Sequence, residues 1–542
     1  MNRYFLLVIF LSCIPLYNLL MPGLPITHDG QDHVARIANF YQNLQDGNLI
    51  PRWAPNLNWG YGHPVLMFLY PLPSYMASFF HFLGASFVDS IKLVFGITFI
   101  LSGVSMYIFM KSIADDRSAF IASLLYMYAP YRFVDLYVRG AIGEHVSFIF
   151  PPLVLFFLYK LSREINWYYI IGGAFSLGGF IIAHNAISIM FLPIEFIYFI
   201  YLLWNLKNKR AFIISASLIF ILGFGLTSFF WIPAFFEGKY TLRDIVTIDG
   251  YLDRFVNPKD FIYGKWDYGG TGLFTVQVGI IQWFFILSAI ITFFLKNKKN
   301  KILILGLFII FILSLFIQTS YSLTVWKLVT TLQKFQFPWR FLSINLFTTS
   351  MIAGLIMYAI PKKYSLNICI IIIILSLFLT KDYWHAKAYS QKPELFYTSI
   401  YNGTTDTGES APIWSIRFME KRPKSKTEVI SGVANVQELY RTSTEHRYLI
   451  ESKIDSQIRE NTIYFPGWHI FVDGHEVSLE FQDINNRGVI TFRLSKGKHI
   501  VNMIFQNTKV RLLSNYISLG CLVIIVVCSI LISRIWRRFQ LF

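Results

Sequence analysis

The chain has 542 residues, 55% of them hydrophobic, 18% aromatic and only 15% charged, with a formal charge of +17. That balance excludes a soluble protein of ordinary composition, and the basic residues sit in short hops between apolar runs, which excludes a nucleic-acid binder as well. The four cysteines, Cys13, Cys369, Cys521 and Cys528, all fall inside apolar runs, so a disulfide scaffold or a zinc cluster in the watery regions is excluded too.

Residues 4–21 are read as a retained first span, since no small-residue cleavage site follows them. Next comes P-I-T-H-D-G-Q-D-H-V-A-R, from Pro25 to Arg36. A helix from Gly30 onward gathers Asp29, Asp32, His33, Arg36 and Asn43 on one side and Val34, Ile37, Ala38, Tyr41 and Leu44 on the other. Such a helix is expected to lie flat in the membrane interface and hold carboxylates at its surface, where the head of a lipid-borne substrate reaches water. Asp29 then has two readings: an N-cap for the first turn, or a carboxylate free for chemistry. His28, His33 and Arg36 are candidates for contacting the substrate head.

Further spans are expected at 89–110, 118–136, 144–161, 167–183, 186–204, 211–230, 274–295, 301–318, 339–360, 365–380 and 515–533, about twelve with the first. The stretch 64–83 is apolar but interrupted by Pro71 and Pro73, and is left as a re-entrant or surface segment. With that choice the basic hops at 111–117, 163, 207–210, 296–301, 362–363 and 534–538 all face the cytoplasm, as do both termini. The opposite face then collects the first loop 22–88, residues 131–143, the turn His184-Asn185, loops 231–273 and 319–338, and the region 381–514.

Those outer segments carry the unusual polar residues. A-P-Y-R-F-V-D-L-Y-V-R-G-A-I-G-E-H places Arg132, Asp135, Arg139, Glu144 and His145 at a span end, either as local ion pairs with snorkelling arginines or as a clamp for a phosphate. Arg52 beside Trp53, and Arg340 in K-F-Q-F-P-W-R-F with Lys334, offer the same choice, because an arginine fork matches phosphate and an aromatic-basic pair also marks a membrane interface. His184 is a polar hinge or lines a cavity, and Glu237 alone is a weak signal. No Walker loop, strand-linked G-x-G-x-x-G or H-E-x-x-H is present, so nucleotide hydrolysis, dinucleotide chemistry and zinc proteolysis lack support.

From about residue 445 the pattern changes to alternating polar and apolar residues, as in N-T-I-Y-F and G-V-I-T-F-R-L, broken by Pro466-Gly467, Asp473-Gly474 and Lys496-Gly497. A small β-sandwich is expected there, with 381–440 unassigned. Its Tyr464 and Trp468 either stack on a sugar or fill the core. The expected architecture is a mainly α integral membrane domain over 1–380, an extracytoplasmic domain over 381–514, and a last helix with a basic tail over 515–542.

Taken together, H-D-G-Q-D-H, the stretch G-N-L-I-P-R-W-A-P-N-L-N-W-G-Y-G-H-P-V-L-M-F-L-Y-P-L-P, A-P-Y-R-F-V-D-L-Y-V-R-G-A-I-G-E-H, A-H-N-A, F-F-W-I-P-A-F-F-E and F-Q-F-P-W-R-F resemble the bacterial 6-pyruvoyl-tetrahydropterin synthase-related membrane proteins. The tail, with Y-F-P-G-W-H-I-F-V-D-G-H-E-V, G-V-I-T-F-R-L-S-K-G-K-H-I-V-N-M-I-F-Q-N-T and R-L-L-S-N-Y-I-S-L, is similar to the end of the YfhO-type membrane proteins. Both resemble the GT-C class of glycosyltransferases. The resemblance implies a GT-C-like helix arrangement in a bacterial cytoplasmic membrane, a sugar donor carried on polyprenyl phosphate, and transfer to a cell-envelope glycan or lipid acceptor outside the membrane. It further implies that Asp29, with Asp32 second, acts as base or positions a divalent cation, Mg or Mn, a choice left open. Arg52, Arg139 and Arg340 would hold the lipid phosphate, and one base with one displacement would invert the anomeric centre. The pterin part of the label implies no activity, since the histidine set of a soluble pterin enzyme is missing. A lipid-linked glycan transporter or a non-catalytic assembly partner remains the rival, although transporters tend to carry charges at the midplane and related halves.

Overall fold

The structure is a computed structural model that describes residues 2–269, 274–294 and 300–539. Among them nine helices are long and apolar enough to cross a membrane: Arg3–Leu20, Phe87–Ile113, Ile142–Arg163, Asn185–Trp204, Lys209–Leu226, Lys301–Gln318, Pro338–Ala359, Lys362–Tyr383 and Lys509–Ile532. Two more, Trp167–Ala183 and Ile280–Phe294, are apolar but shorter. The chain is thus a mainly α, multi-pass membrane protein. The basic residues 296–299 and the side chains of 534–538 lie outside the described residues, so those two hops are not placed.

Not every expected span is one continuous helix: 211–230 falls on Lys209–Leu226 and Ser228–Phe236. Residues 118–136 divide into Asp116–Met127, a short turn Pro130–Phe133 and a six-residue π-helical stretch Val134–Arg139 that ends on Gly140 in the left-handed region. Pro130 cannot donate to the preceding turn, which breaks the helix there. Arg132, Asp135, Arg139 and Glu144 are all buried in protein, where irregular backbone at membrane depth is tolerated. The stretch 64–83 is also broken, into Val65–Phe68 and Leu72–Phe82, and is no span.

The loop helix Gly30–Gln45 departs from expectation as well. Its apolar side packs on Leu72–Phe82 and Phe87–Ile113, but its polar side meets protein rather than water. Arg36 donates through Nε to Thr405 Oγ1 at 3.2 Å and through its Nη2 to the Thr405 carbonyl. Asn39 Oδ1 accepts the Asn56 amide at 2.9 Å, and Asn43 donates to the Trp53 carbonyl at 2.8 Å. The helix is therefore sandwiched rather than floating, because buried amides and guanidinium groups require partners that lipid headgroups cannot fix in place.

The strands of the β domain begin at Thr427, earlier than the alternation in sequence marks, and form two antiparallel sheets. One runs in the order 434–441, 445–452, 497–505, 468–472, 475–477, and the other 427–431, 456–463, 489–494. Their inner faces share one core containing Tyr448, Ile450, Ile458, Ile463, Trp468, Ile470, Phe492, Val501 and Met503. Within it the buried Glu460 carboxylate accepts from Arg441 at 2.9 Å and from the Tyr448 hydroxyl at 3.0 Å. Trp468 is a core residue.

The membrane half reaches into this core. Trp53, 1% exposed, meets Trp468 edge-on at 5.4 Å and Phe505 at 5.4 Å, and Met67 and Phe68 join the same cluster. Beside it Arg52 donates to Asn507, to Asn515 at 2.9 Å and to the Phe229 carbonyl at 3.0 Å, linking the first loop to the β domain and the last helix. Glu237 pairs with Arg511 at 2.7 Å at the same junction. Trp53→Ala is expected to cost about 3–5 kcal/mol, read as a lower thermal midpoint and earlier proteolysis of the strands; an unchanged midpoint would show that the tryptophan does not anchor the domain.

Candidate functional site

Three local features fix the start of the loop helix. The strand pair Leu24–Pro25 with Tyr389–Ser390 sets its approach. The amides of His28 and Asp29 then donate to the carbonyls of Val138 and Arg139 at 3.0 and 2.9 Å, and Thr27 Oγ1 accepts the Gly30 amide at 3.1 Å. Gly140 sits against this knot with φ +66, where a Cβ would come 2.2 Å from Thr27 Oγ1, so only glycine fits.

Thr27 thereby supplies the capping bond in place of Asp29. Asp29 occupies the N-cap position, yet its side chain makes no capping hydrogen bond and is exposed. The capping reading fails on this geometry, and the carboxylate is left available. One turn on, Asp32 is partly buried and accepts the Tyr401 hydroxyl at 2.7 Å. Burial raises its carboxyl above the ordinary value; Tyr401 and Arg36 oppose the rise and Asp29 adds to it. His33 is buried, with Nε2 free of any hydrogen bond, and burial together with Arg36 and Arg139 holds it well below the usual imidazole range, so it is neutral.

Facing these groups is a set of arginines. Arg139 binds Asp135, donates to Glu144 Oε2 at 2.8 Å and lies 4.4 Å from the Trp339 ring centre. Glu144 also accepts the Tyr131 hydroxyl at 2.5 Å. Arg340 donates to the Phe335 carbonyl at 3.0 Å, but its Nε has no hydrogen-bond partner and stands 4.0 Å from Glu144. Arg254 lies on the same ring as Arg340, their guanidinium carbons 4.2 and 4.7 Å from the Phe337 centre. Burial and the Arg340 charge lower the Arg254 pKa. Tyr70 is stacked on His184 at 4.7 Å and lies within electrostatic reach of Arg36, Asp29, Arg340 and Arg139. His184 caps the helix Asn185–Trp204 through Nδ1.

The fold thus brings together Asp29, Asp32, His33, Arg36, Arg139, Glu144, His184 and Arg340 from separated stretches of the chain. His28 is exposed at the edge, with Nε2 3.1 Å from the Tyr268 carbonyl. Asp135 stands behind Arg139. Arg132 is held elsewhere, donating to Ser102 at 2.9 Å with its guanidinium 4.1 Å from the Phe148 ring centre. Arg52 and Trp53 belong to the domain junction, and none of their partners is in this cluster. Tyr70, Tyr401 and Arg254 were not singled out from the sequence; Tyr70 lies inside a noted motif, F-L-Y-P-L-P, whereas L-D-R-F around Arg254 carries no signal. Among the described residues no three His, Cys, Asp or Glu side chains gather as a metal site. Asp29 and Asp32 are the carboxylates that would hold a divalent cation together with a substrate phosphate and waters, and Asp32 already accepts the Tyr401 hydroxyl.

These features define a membrane protein with a polar site at the start of its loop helix, apart from the junction of its helices with the β domain. The chain belongs to the family described as 6-pyruvoyl-tetrahydropterin synthase related domain, membrane protein, which matches residues 66–390. Tyr70, Arg139, Glu144, His184, Arg254 and Arg340 fall inside that match, and the two aspartates precede it. A protein of Lactococcus lactis subsp. cremoris (strain MG1363), described only as uncharacterized, is 22% identical over 273 residues, which is 49% of this chain and 44% of that protein. The match therefore spans less than half of the relative. Among solved structures the chain is similar to the mycobacterial arabinofuranosyltransferase AftD, at 13% identity and a TM-score of 0.47, covering 72% of this chain and 27% of AftD. It is similar also to the Archaeoglobus fulgidus oligosaccharyltransferase, at 13% identity and a TM-score of 0.44 over 76% and 61% of the two chains. A third is ArnT from Cupriavidus metallidurans bound to undecaprenyl phosphate, at 12% and 0.37 over 72% and 67%.

The raised Asp32 carboxyl makes a prediction with a definite sign. The folded protein binds this proton more tightly than the unfolded chain, so stability falls as pH rises from the ordinary carboxyl value near 3.8 through the folded value. Asp32→Asn removes that fall. Its thermal midpoint should exceed that of the wild type above this window and converge on it toward low pH; parallel midpoint curves from about pH 4 to about pH 8 would refute the assignment.

Proposed function

We propose that the protein is a membrane glycosyltransferase that moves a sugar from a polyprenyl-phosphate donor to a cell-envelope glycan or lipid acceptor. The observation that carries this reading is an exposed, uncapped Asp29 carboxylate in one cluster with Arg340, whose Nε makes no hydrogen bond. A base next to an anion-binding set is what displacement of a lipid phosphate requires.

In this mechanism Asp29 takes the proton of an acceptor hydroxyl as its oxygen attacks the anomeric carbon. The new carbon–oxygen bond forms while the bond to the lipid phosphate breaks, and the bonding pair leaves with the phosphate. Arg340 and Arg254, whose guanidinium groups share Phe337 and of which Arg340 shares only the Glu144 carboxylate at 4.0 Å, take up the growing negative charge; Arg139 is more fully neutralised by Asp135 and Glu144. Attack from the side opposite the leaving group inverts the centre. Asp32, held by Tyr401, stands one turn along as a second hydrogen-bond acceptor for the incoming hydroxyls. No step is routed through a metal. The β-domain face is assigned to the outside of a bacterial cytoplasmic membrane and both termini to the cytoplasm, on the strength of the basic hops at the other helix ends.

The test compares envelope glycans by mass spectrometry in a wild-type strain, a deletion strain and a deletion strain carrying Asp29→Asn at equal membrane abundance. Deletion should remove one sugar modification, and the variant should restore it about 10²–10⁴-fold less effectively while polyprenyl-phosphate sugar accumulates. Full restoration overturns the assignment of Asp29 and favours a transporter. In vitro, Arg254→Ala and Arg340→Ala should each lower turnover about 10²-fold, and wild-type turnover in both would remove the arginines from the mechanism.

A further inference from the structure

A cavity of about 390 Å³ opens beside the first turn of the loop helix, between the start of Phe87–Ile113 and the strand end at Ser390. Its lining includes Ser86, Asp89, Gln391, Lys392 and Glu394. The charges here are already balanced in part. Asp89 pairs with Lys92 at 2.9 Å and accepts the Ser86 hydroxyl at 2.7 Å, and Glu394 Oε1 accepts the Phe87 amide at 2.7 Å. At the cavity's edge Gly23, with φ +89, leaves bare backbone where a Cβ would come 2.8 Å from the Ser390 carbonyl oxygen. Both signs of charge with hydroxyl and amide groups, set beside the apolar Val88 and Pro393, suit a neutral polyhydroxylated ligand, whose hydroxyls donate and accept in turn and whose ring carbons present apolar faces. A phosphate would need unmatched cations, and a lipid tail would need an apolar wall not interrupted by Asp89, Lys392 and Glu394.

The cavity is wired to the candidate base pair. Lys392 Nζ donates to Gln31 Oε1 at 2.8 Å, Gln31 Nε2 donates to the Tyr401 oxygen at 3.2 Å, and the Tyr401 hydroxyl donates to Asp32 Oδ1 at 2.7 Å. Every donor in this chain points the same way, from an ammonium at the cavity to a carboxylate at the site, and such chains polarise cooperatively. Lys392 also rests 3.8 Å from the Phe396 ring centre, which steadies it while two of its three donors stay unspent.

We propose that this cavity is a glycan subsite on the acceptor side, with Lys392 as its sensing group and Gln31 and Tyr401 as positioning residues that couple occupancy to Asp32. The proposal rests on the transferase reading for its meaning but not for its test. Lipid-free neutral oligosaccharides, released from the envelope of the producing bacterium, serve as the probe against the purified full chain in detergent, with binding read by saturation-transfer NMR. Gln391→Trp, at an exposed position, fills the cavity and should weaken binding at least tenfold, and Lys392→Ala should weaken it severalfold. Gln31→Leu, which cuts the chain without filling the cavity, should retain binding and lower transfer. Equal binding by wild type and Gln391→Trp, or no binding by wild type, overturns the proposal. Oligosaccharide bound through this cavity with no sugar delivered from the donor would uphold the subsite and defeat the transferase reading, so the two failures are distinguishable.

Discussion

Burial of a helix that carries charged and amide side chains is the constraint on which the rest of this structure depends. The loop helix Gly30–Gln45 presents Asp32, His33, Arg36, Asn39 and Asn43 to protein, and each unpaired buried polar group costs on the order of 1–3 kcal/mol. Partners come from two directions in sequence: 53–56 just downstream, and 401–405 more than three hundred residues away. Satisfying this face therefore draws the segment before the β domain onto the membrane half. Trp53 completes the attachment by entering the domain's own core, and Arg52 ties in the last helix.

That attachment also explains why the helix start is open. Thr27 takes the capping role and the carbonyls of Val138 and Arg139 take the neighbouring amides, so the Asp29 carboxylate is not consumed by secondary structure. The same backbone contact brings the π-helical end of 134–139 beside the first turn. Arg139 follows as a geometric consequence, since it terminates that stretch before a glycine that only a left-handed conformation suits.

Charge balance then separates the arginines into two kinds. Arg139 is matched by Asp135 and Glu144, and Arg52 is spent on amide and carbonyl oxygens at the domain junction. Arg340 and Arg254 meet on one phenylalanine, where like charges oppose each other and the nearest carboxylate oxygen to Arg340 is 4.0 Å away. A pair of this kind is most stable with an anion between or beside it. Residue type alone cannot separate the two kinds, because Arg52 in P-R-W and Arg340 in P-W-R read alike as interfacial arginines.

Hydropathy and spacing determined what is local. The membrane class, most span positions, the β pattern at the end of the chain, and Asp29, Asp32, Arg139, Glu144, His184 and Arg340 as notable residues all follow from periodicity and from charges beside apolar runs. Even the break at 64–83 is local, because proline acts on its own turn. Tertiary structure alone decided which polar groups are partnered: that Asp29 is uncapped, that Tyr401 holds Asp32, that Arg254 stands with Arg340, and that Arg52, Trp53 and Arg132 are engaged elsewhere. It also decided that 118–136 is not one helix and that the polar side of the loop helix is covered. The physical reason is the same in each case. A helix period reports which face a residue occupies, whereas a hydrogen bond or ion pair depends on a second residue that the fold, not the neighbouring sequence, brings within about 3 Å.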